Sequence, residues 1–139
     1  MQARRIFETC LCGRDLPAIR RFYSEVMGLP VVGDMNTRGI VFRCGESVLI
    51  VFNPDETRID APSPAHPHAK IPPHGTEGQG HIAFLATAEE SPLWREHLAK
   101  HQVPIISEVN WEAGGTSIYF HDPAGNVVEL APPTLWGGF

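Results

Sequence analysis

The chain is poor in the features that mark several protein classes. Only three of its 139 residues are cysteine, Cys10, Cys12 and Cys44. An odd set cannot pair off within one chain, which points to a reducing compartment rather than a disulfide-built scaffold. Basic residues are scarce: 11 Lys and Arg stand against 16 Asp and Glu, for a net charge of -5. Nucleic-acid binders normally carry a basic patch, so that partner class is disfavoured. No apolar run approaches the roughly 18 residues of a membrane span. The opening MQARRIF has two arginines with no apolar stretch behind them, unlike a secretory signal. The expectation is a soluble cytoplasmic protein with neither nucleic acid nor membrane as partner.

What is present suits one domain. Hydrophobic residues make up 42% of the chain and charged residues 19%, enough apolar material for a core. Residues 5–12 alternate as a strand, and Asp15 is a good helix cap. Behind it Ile19, Phe22, Tyr23, Val26 and Met27 recur at helical spacing, and Gly28 and Pro30 end the run. Three strand-like segments follow at 31–35, 39–44 and 47–52. Residues 54–79 then lose all pattern and carry many prolines together with His66, His68 and His74, as a surface loop would. After the loop the order repeats: a strand at 80–86, a helix opened by Ser91-Pro92 and running to His101, and strands at 104–111, 116–121 and 126–131.

The halves also correspond in detail. Ile40 and Phe42 match Ile118 and Phe120, which signals an internal duplication. The expected fold is α+β, with two β-α-β-β-β modules (about 5–53 and 80–131) forming a curved half-barrel sheet with helices outside. A tail at 132–139 completes a single domain.

Period-2 reading puts ligand-type residues where strands should be apolar. Glu8 shares a strand face with Cys10 and Cys12, His81 with Ala83 and Leu85, and Glu129 with Val127 and Ala131. A buried carboxylate costs several kcal/mol unless it is paired or bound to a cation. A Glu/His/Glu set suits a divalent ion such as Mn, Fe, Ni, Co or Zn. Each residue alone reads equally as a solvated side chain, a partner for an arginine or a hydrogen-bonded structural histidine.

The run Glu8-Thr-Cys-Leu-Cys-Gly-Arg-Asp15-Leu16, the segment Arg21-Phe22-Tyr23-Ser-Glu-Val-Met-Gly28-Leu29 and the stretch Gly80-His81-Ile-Ala-Phe84 bear a family likeness. So does the closing Tyr119-Phe-His-Asp122-Pro123-Ala-Gly125-Asn126-Val-Val-Glu129-Leu130. Together they resemble the glyoxalase / bleomycin-resistance / extradiol-dioxygenase superfamily, the vicinal oxygen chelate fold. The resemblance implies paired modules around a divalent metal, with Glu8, His81 and Glu129 at the ligand positions. It implies a small-molecule substrate that chelates the metal through neighbouring oxygens, in lyase, dioxygenase or transferase chemistry. The alternative is a bleomycin-resistance-like protein that binds a small molecule without turnover.

Two departures bear on the reaction. Glu8 stands where many relatives carry His or Gln, which moves this chain away from the two-His, one-carboxylate iron site of ring-cleaving enzymes. Anchoring Gly45 on Gly125 sets Leu49 opposite Glu129. Leucine cannot ligate, so the set has three members, unlike the four-ligand plan of glyoxalase I. Glu8 and Tyr119 are the expected catalytic residues. Cys10, Arg43, Leu49, Ser117, Tyr119 and His121 are expected to line the substrate pocket. The family likeness also implies a homodimer, with Glu8 joining His81 and Glu129 across subunits. Trp111 and Trp136 are left between pocket and dimer contact.

Overall fold

The computed structural model describes residues 1–59, 61–62 and 70–137. His66 and His68 lie outside the described residues. The chain divides into two compact units, Met1–Gly78 and Gln79–Phe139.

In the first unit β1 (Glu8–Cys12) leads to α1 (Leu16–Arg21), then to β2 (Val31–Asp34), β3 (Gly39–Cys44) and β4 (Ser47–Phe52). The sheet order is β1-β4-β3-β2, with β1 and β4 parallel and the other neighbours antiparallel. The Asp15 side chain accepts from the Ala18 N–H at 3.0 Å and starts α1. The expected single helix does not run regularly to its end. Phe22–Val26 form a π-helical turn, in which the Met27 N–H bonds the Phe22 carbonyl at 3.1 Å. The wider turn lets Phe22, Tyr23, Val26 and Met27 all bury. The Tyr23 ring lies 5.3 Å from that of Phe42 in the sheet, where Ile40, Leu49 and Val51 are also buried.

The loop after β4 holds more structure than its composition suggests. Asn53 caps a short helix, α2 (Pro54–Thr57), and two-residue strands β5 (Ala61–Pro62) and β6 (Lys70–Ile71) pair beyond it. Asn-Pro followed by Asp55 and Glu56 is a helix-start signal that the many prolines mask. The Arg14 guanidinium forks between Asp55 (2.8 Å) and Glu77 (2.9 Å), and Arg58 joins Glu77 at 2.6 Å. Arg14 holds both carboxyls below their ordinary range by hydrogen bonding. His74, expected at the surface, is half-buried with its ring 4.6 Å from that of Phe52.

The second unit repeats the plan: β7 (His81–Leu85), α3 (Ser91–Lys100), β8 (Ser107–Asn110), β9 (Thr116–His121) and β10 (Val127–Ala131), in sheet order β7-β10-β9-β8. Its core gathers Leu98, Ile118, Phe120, Val128 and Leu130. The start of α3 differs from the expected Ser91 cap. Thr87 and Glu90 form a reciprocal box: the Thr87 N–H donates to Glu90 Oε2 at 2.8 Å, and the Glu90 N–H donates to Thr87 Oγ1 at 3.4 Å. Among the described residues no helix is long and apolar enough to cross a membrane.

Candidate metal centre

Sheet register decides which side chains share a face. In the first unit the rows are Glu8–Val48–Arg43 and Cys10–Ile50–Val41. In the second they are His81–Val127–His121 and Ala83–Glu129–Tyr119. Equivalent rows therefore set Ile50, not Leu49, at the position matching Glu129. Leu49 corrects an expectation: it pairs with Thr9 and Phe42 on the opposite face and is core, 2% exposed. Alignment through glycines slips because the Gly45 hairpin is shorter than the Asp122–Asn126 loop, and a slip of one residue inverts the face. Ile50 cannot ligate either, so the count of candidate donors is unchanged.

The second unit builds the better-defined site. Glu129 is buried at 5% exposure, and its carboxylate is held from two sides. Tyr119 O–H donates to Oε1 at 2.9 Å, and His81 Nε2 lies 3.2 Å from Oε2. Burial, then the bond to Glu129, pushes the Tyr119 phenol above its ordinary range, while the nearby Ser117 hydroxyl acts the other way. At neutral pH Tyr119 is thus a proton donor to Glu129. The His81 ring lies 6.4 Å from that of Tyr119 at an interplanar angle of 25°. Ser117, expected to line the pocket, is fully buried, and its Oγ accepts the Trp111 indole N–H at 2.7 Å. His121 is exposed on the same face as His81.

The Asp122-Pro-Ala-Gly-Asn126 turn fastens this site. The Ala124 and Asn126 N–H groups each donate to Asp122 Oδ1 at 2.9 Å, and Asn126 Nδ2 donates to Oδ2 at 2.8 Å. Asn126 Oδ1 in turn accepts the Gly80 N–H at 2.9 Å. The loop leading into β10 thereby fixes the residue before His81. Gly125, at φ +83°, takes the left-handed conformation the turn needs.

In the first unit Glu8, Cys10 and Arg43 are exposed on one face. Burial raises the Cys10 and Cys44 thiols, and Glu8 adds to the effect at Cys10. Both are thiols at neutral pH in the metal-free chain.

The pair in the second unit fits a divalent ion. Ligand bonds of about 2.0–2.2 Å place neighbouring donor atoms roughly 3.0–3.5 Å apart, and the His81–Glu129 separation of 3.2 Å falls in that range. One imidazole nitrogen with one carboxylate oxygen is also donor chemistry suited to Mn, Fe, Ni, Co or Zn. Among the described residues no three His, Cys, Asp or Glu side chains gather in a group that could hold an ion.

The Glyoxalase/Bleomycin resistance protein/Dioxygenase superfamily model matches residues 5–130. The chain belongs to this superfamily. Its fold is the α+β arrangement of paired β-α-β-β-β modules expected from the sequence. Among solved structures, the superfamily chain is 36% identical to a lactoylglutathione lyase from Agrobacterium tumefaciens, covering 99% of each chain with a TM-score of 0.89. A fosfomycin resistance protein, FosX, from Mesorhizobium loti shares the fold at 21% identity, 94% and 92% coverage and a TM-score of 0.61. A glyoxalase / bleomycin resistance protein / dioxygenase from Nocardioides shares it at 20% identity, 95% and 85% coverage and a TM-score of 0.71. No curated protein matches the chain in sequence.

Proposed function

We propose that this superfamily member is a divalent-metal-dependent enzyme whose small substrate chelates the ion through neighbouring oxygens, with lyase chemistry favoured. The observation that carries the reading is the buried Glu129 carboxylate, shared between His81 Nε2 and the Tyr119 hydroxyl. A buried carboxylate facing an imidazole nitrogen on the next strand is costly for a scaffold and useful for a metal site. The lyase preference rests on the Agrobacterium relative, which is similar over its full length.

His81 and Glu129 would hold the ion, with Glu8 as the third ligand. A divalent ion there supplies Lewis-acid stabilisation of negative charge developing on a chelated substrate oxygen. Tyr119 keeps Glu129 Oε1 occupied, so that Oε2 is the oxygen left for ligation. Glu8, an exposed carboxylate, is the group suited to take a proton from substrate carbon and return it. The family likeness suggests a homodimer in which Glu8 of a second copy completes the site.

The test is metal-dependent turnover of lactoylglutathione, whose adjacent hydroxyl and thioester oxygens can chelate. Protein reloaded with Mn, Fe(II), Ni, Co or Zn is expected to turn it over, and chelator-treated protein to lose activity. Equal turnover with and without metal overturns the reading. Tight binding without any turnover favours the small-molecule-sequestering alternative.

A further inference from the structure

We infer that His97 and His101 form a second metal site, in which the last turn of α3 takes a late first-row divalent cation (Ni2+, Cu2+ or Zn2+) between two imidazoles. The site needs neither His81 nor Glu129.

Helix register brings the two rings together. Residues four apart on an α-helix are neighbours, with Cβ atoms about 5–6 Å apart. The His101 N–H bonds the His97 carbonyl at 3.1 Å, so the regular turn holds up to the second histidine. The ring centroids are 4.5 Å apart at an interplanar angle of 47°. Both residues are half-buried, which leaves an ion access from solvent. Two imidazole nitrogens bound to one ion sit roughly 3.0–3.5 Å apart, a separation that rings this close can present. Each ring has two nitrogens, so one can ligate while the other keeps a hydrogen bond.

The surroundings favour a cation. The Trp94 ring stands edge-on to that of His97, with centroids 5.6 Å apart and an interplanar angle of 89°, which limits the turning of the imidazole. The carbonyls at the end of α3 form the negative pole of the helix, which draws positive charge to its last turn. Glu96 and Lys100, the charged residues beside the pair in sequence, carry one charge of each sign. Imidazole donors suit late first-row ions, and affinity rises along that row toward copper. The rings are in register only in the folded helix, so a bound ion fastens the end of α3. Among the described residues no third His, Cys, Asp or Glu joins them. Two donors hold an ion loosely, and it exchanges with solvent.

The test titrates Ni2+ into His81→Ala, which lacks the imidazole of the candidate centre, and into the same protein carrying His97→Gln or His101→Gln. Calorimetry gives the affinity, and the Trp94 indole signal in 1H–15N NMR reports a paramagnetic ion beside His97. In His81→Ala one Ni2+ is expected to bind and to broaden the Trp94 signal. Two donors on one turn act as a chelate, so loss of either is expected to weaken binding about 100-fold. Saturating Ni2+ is expected to raise the melting temperature of His81→Ala and to leave both glutamine variants unmoved. Equal affinity in all three proteins overturns the site, as does a Trp94 signal that stays sharp. Histidines acting separately would leave each glutamine variant with one ion at undiminished affinity, and that result overturns it too.

Discussion

Glu129→Gln is expected to lower divalent-metal affinity by at least about 100-fold, beyond what loss of an outer partner costs, while the protein stays folded. The substitution preserves shape and leaves a carbonyl oxygen to accept the Tyr119 hydroxyl. What it removes is the anionic oxygen 3.2 Å from His81 Nε2. An amide is a poor ligand for a transition ion compared with a carboxylate. Stability of the metal-free protein should hold or rise, because a buried charge has been replaced by a neutral group. Calorimetric titration with Zn2+ and thermal denaturation in chelator check the two halves. Wild-type affinity in Glu129→Gln would remove Glu129 from the metal set.

Asn126→Ala is expected to destabilise the protein by about 3 kcal/mol, read as a fall in melting temperature on the order of 10 °C. Asn126 is 1% exposed. Its side chain bonds both the Gly80 N–H and Asp122 Oδ2. Alanine leaves a backbone donor and a buried carboxylate each short of a partner, a loss near 1–3 kcal/mol apiece. It also unties the chain just before His81, so metal affinity should fall with stability. Asn126→Asp keeps the acceptor for Gly80 but sets a second carboxylate against Asp122. Its cost should be similar at neutral pH and smaller in acid, where one carboxyl takes up a proton. Urea denaturation of both variants gives the comparison; a change below about 1 kcal/mol, within an ordinary surface substitution's reach, would mean that the turn does not hold the site.

Much of the architecture was legible because its signals are periodic. The stripe Ile19, Phe22, Tyr23, Val26 and Met27 is buried as a helix face should be, and the repeated strand order appears in both sheets. His81 and Glu129 stood out as polar residues on apolar strands, and the structure brings them together. Register across a hairpin was less accessible. Turn length, not glycine position, sets it, so anchoring on glycines selects Leu49 where Ile50 is the residue that matches Glu129. The contact from Trp111 to Ser117 joins the two sides of a hairpin with side-chain atoms, and no period in the sequence marks it. The Thr87/Glu90 box has the T-x-x-E spacing of a capping pattern, one turn ahead of Ser91-Pro92.

The proposed metal site stands on His81 and Glu129. Elemental analysis of gently purified wild type and His81→Ala tests it most directly. Near-stoichiometric divalent metal in wild type and its loss in the variant is the predicted result, and the element found selects among the candidate chemistries. Wild-type protein that carries no metal and takes up none of added Mn, Fe, Ni, Co or Zn would show that His81 and Glu129 hold no ion.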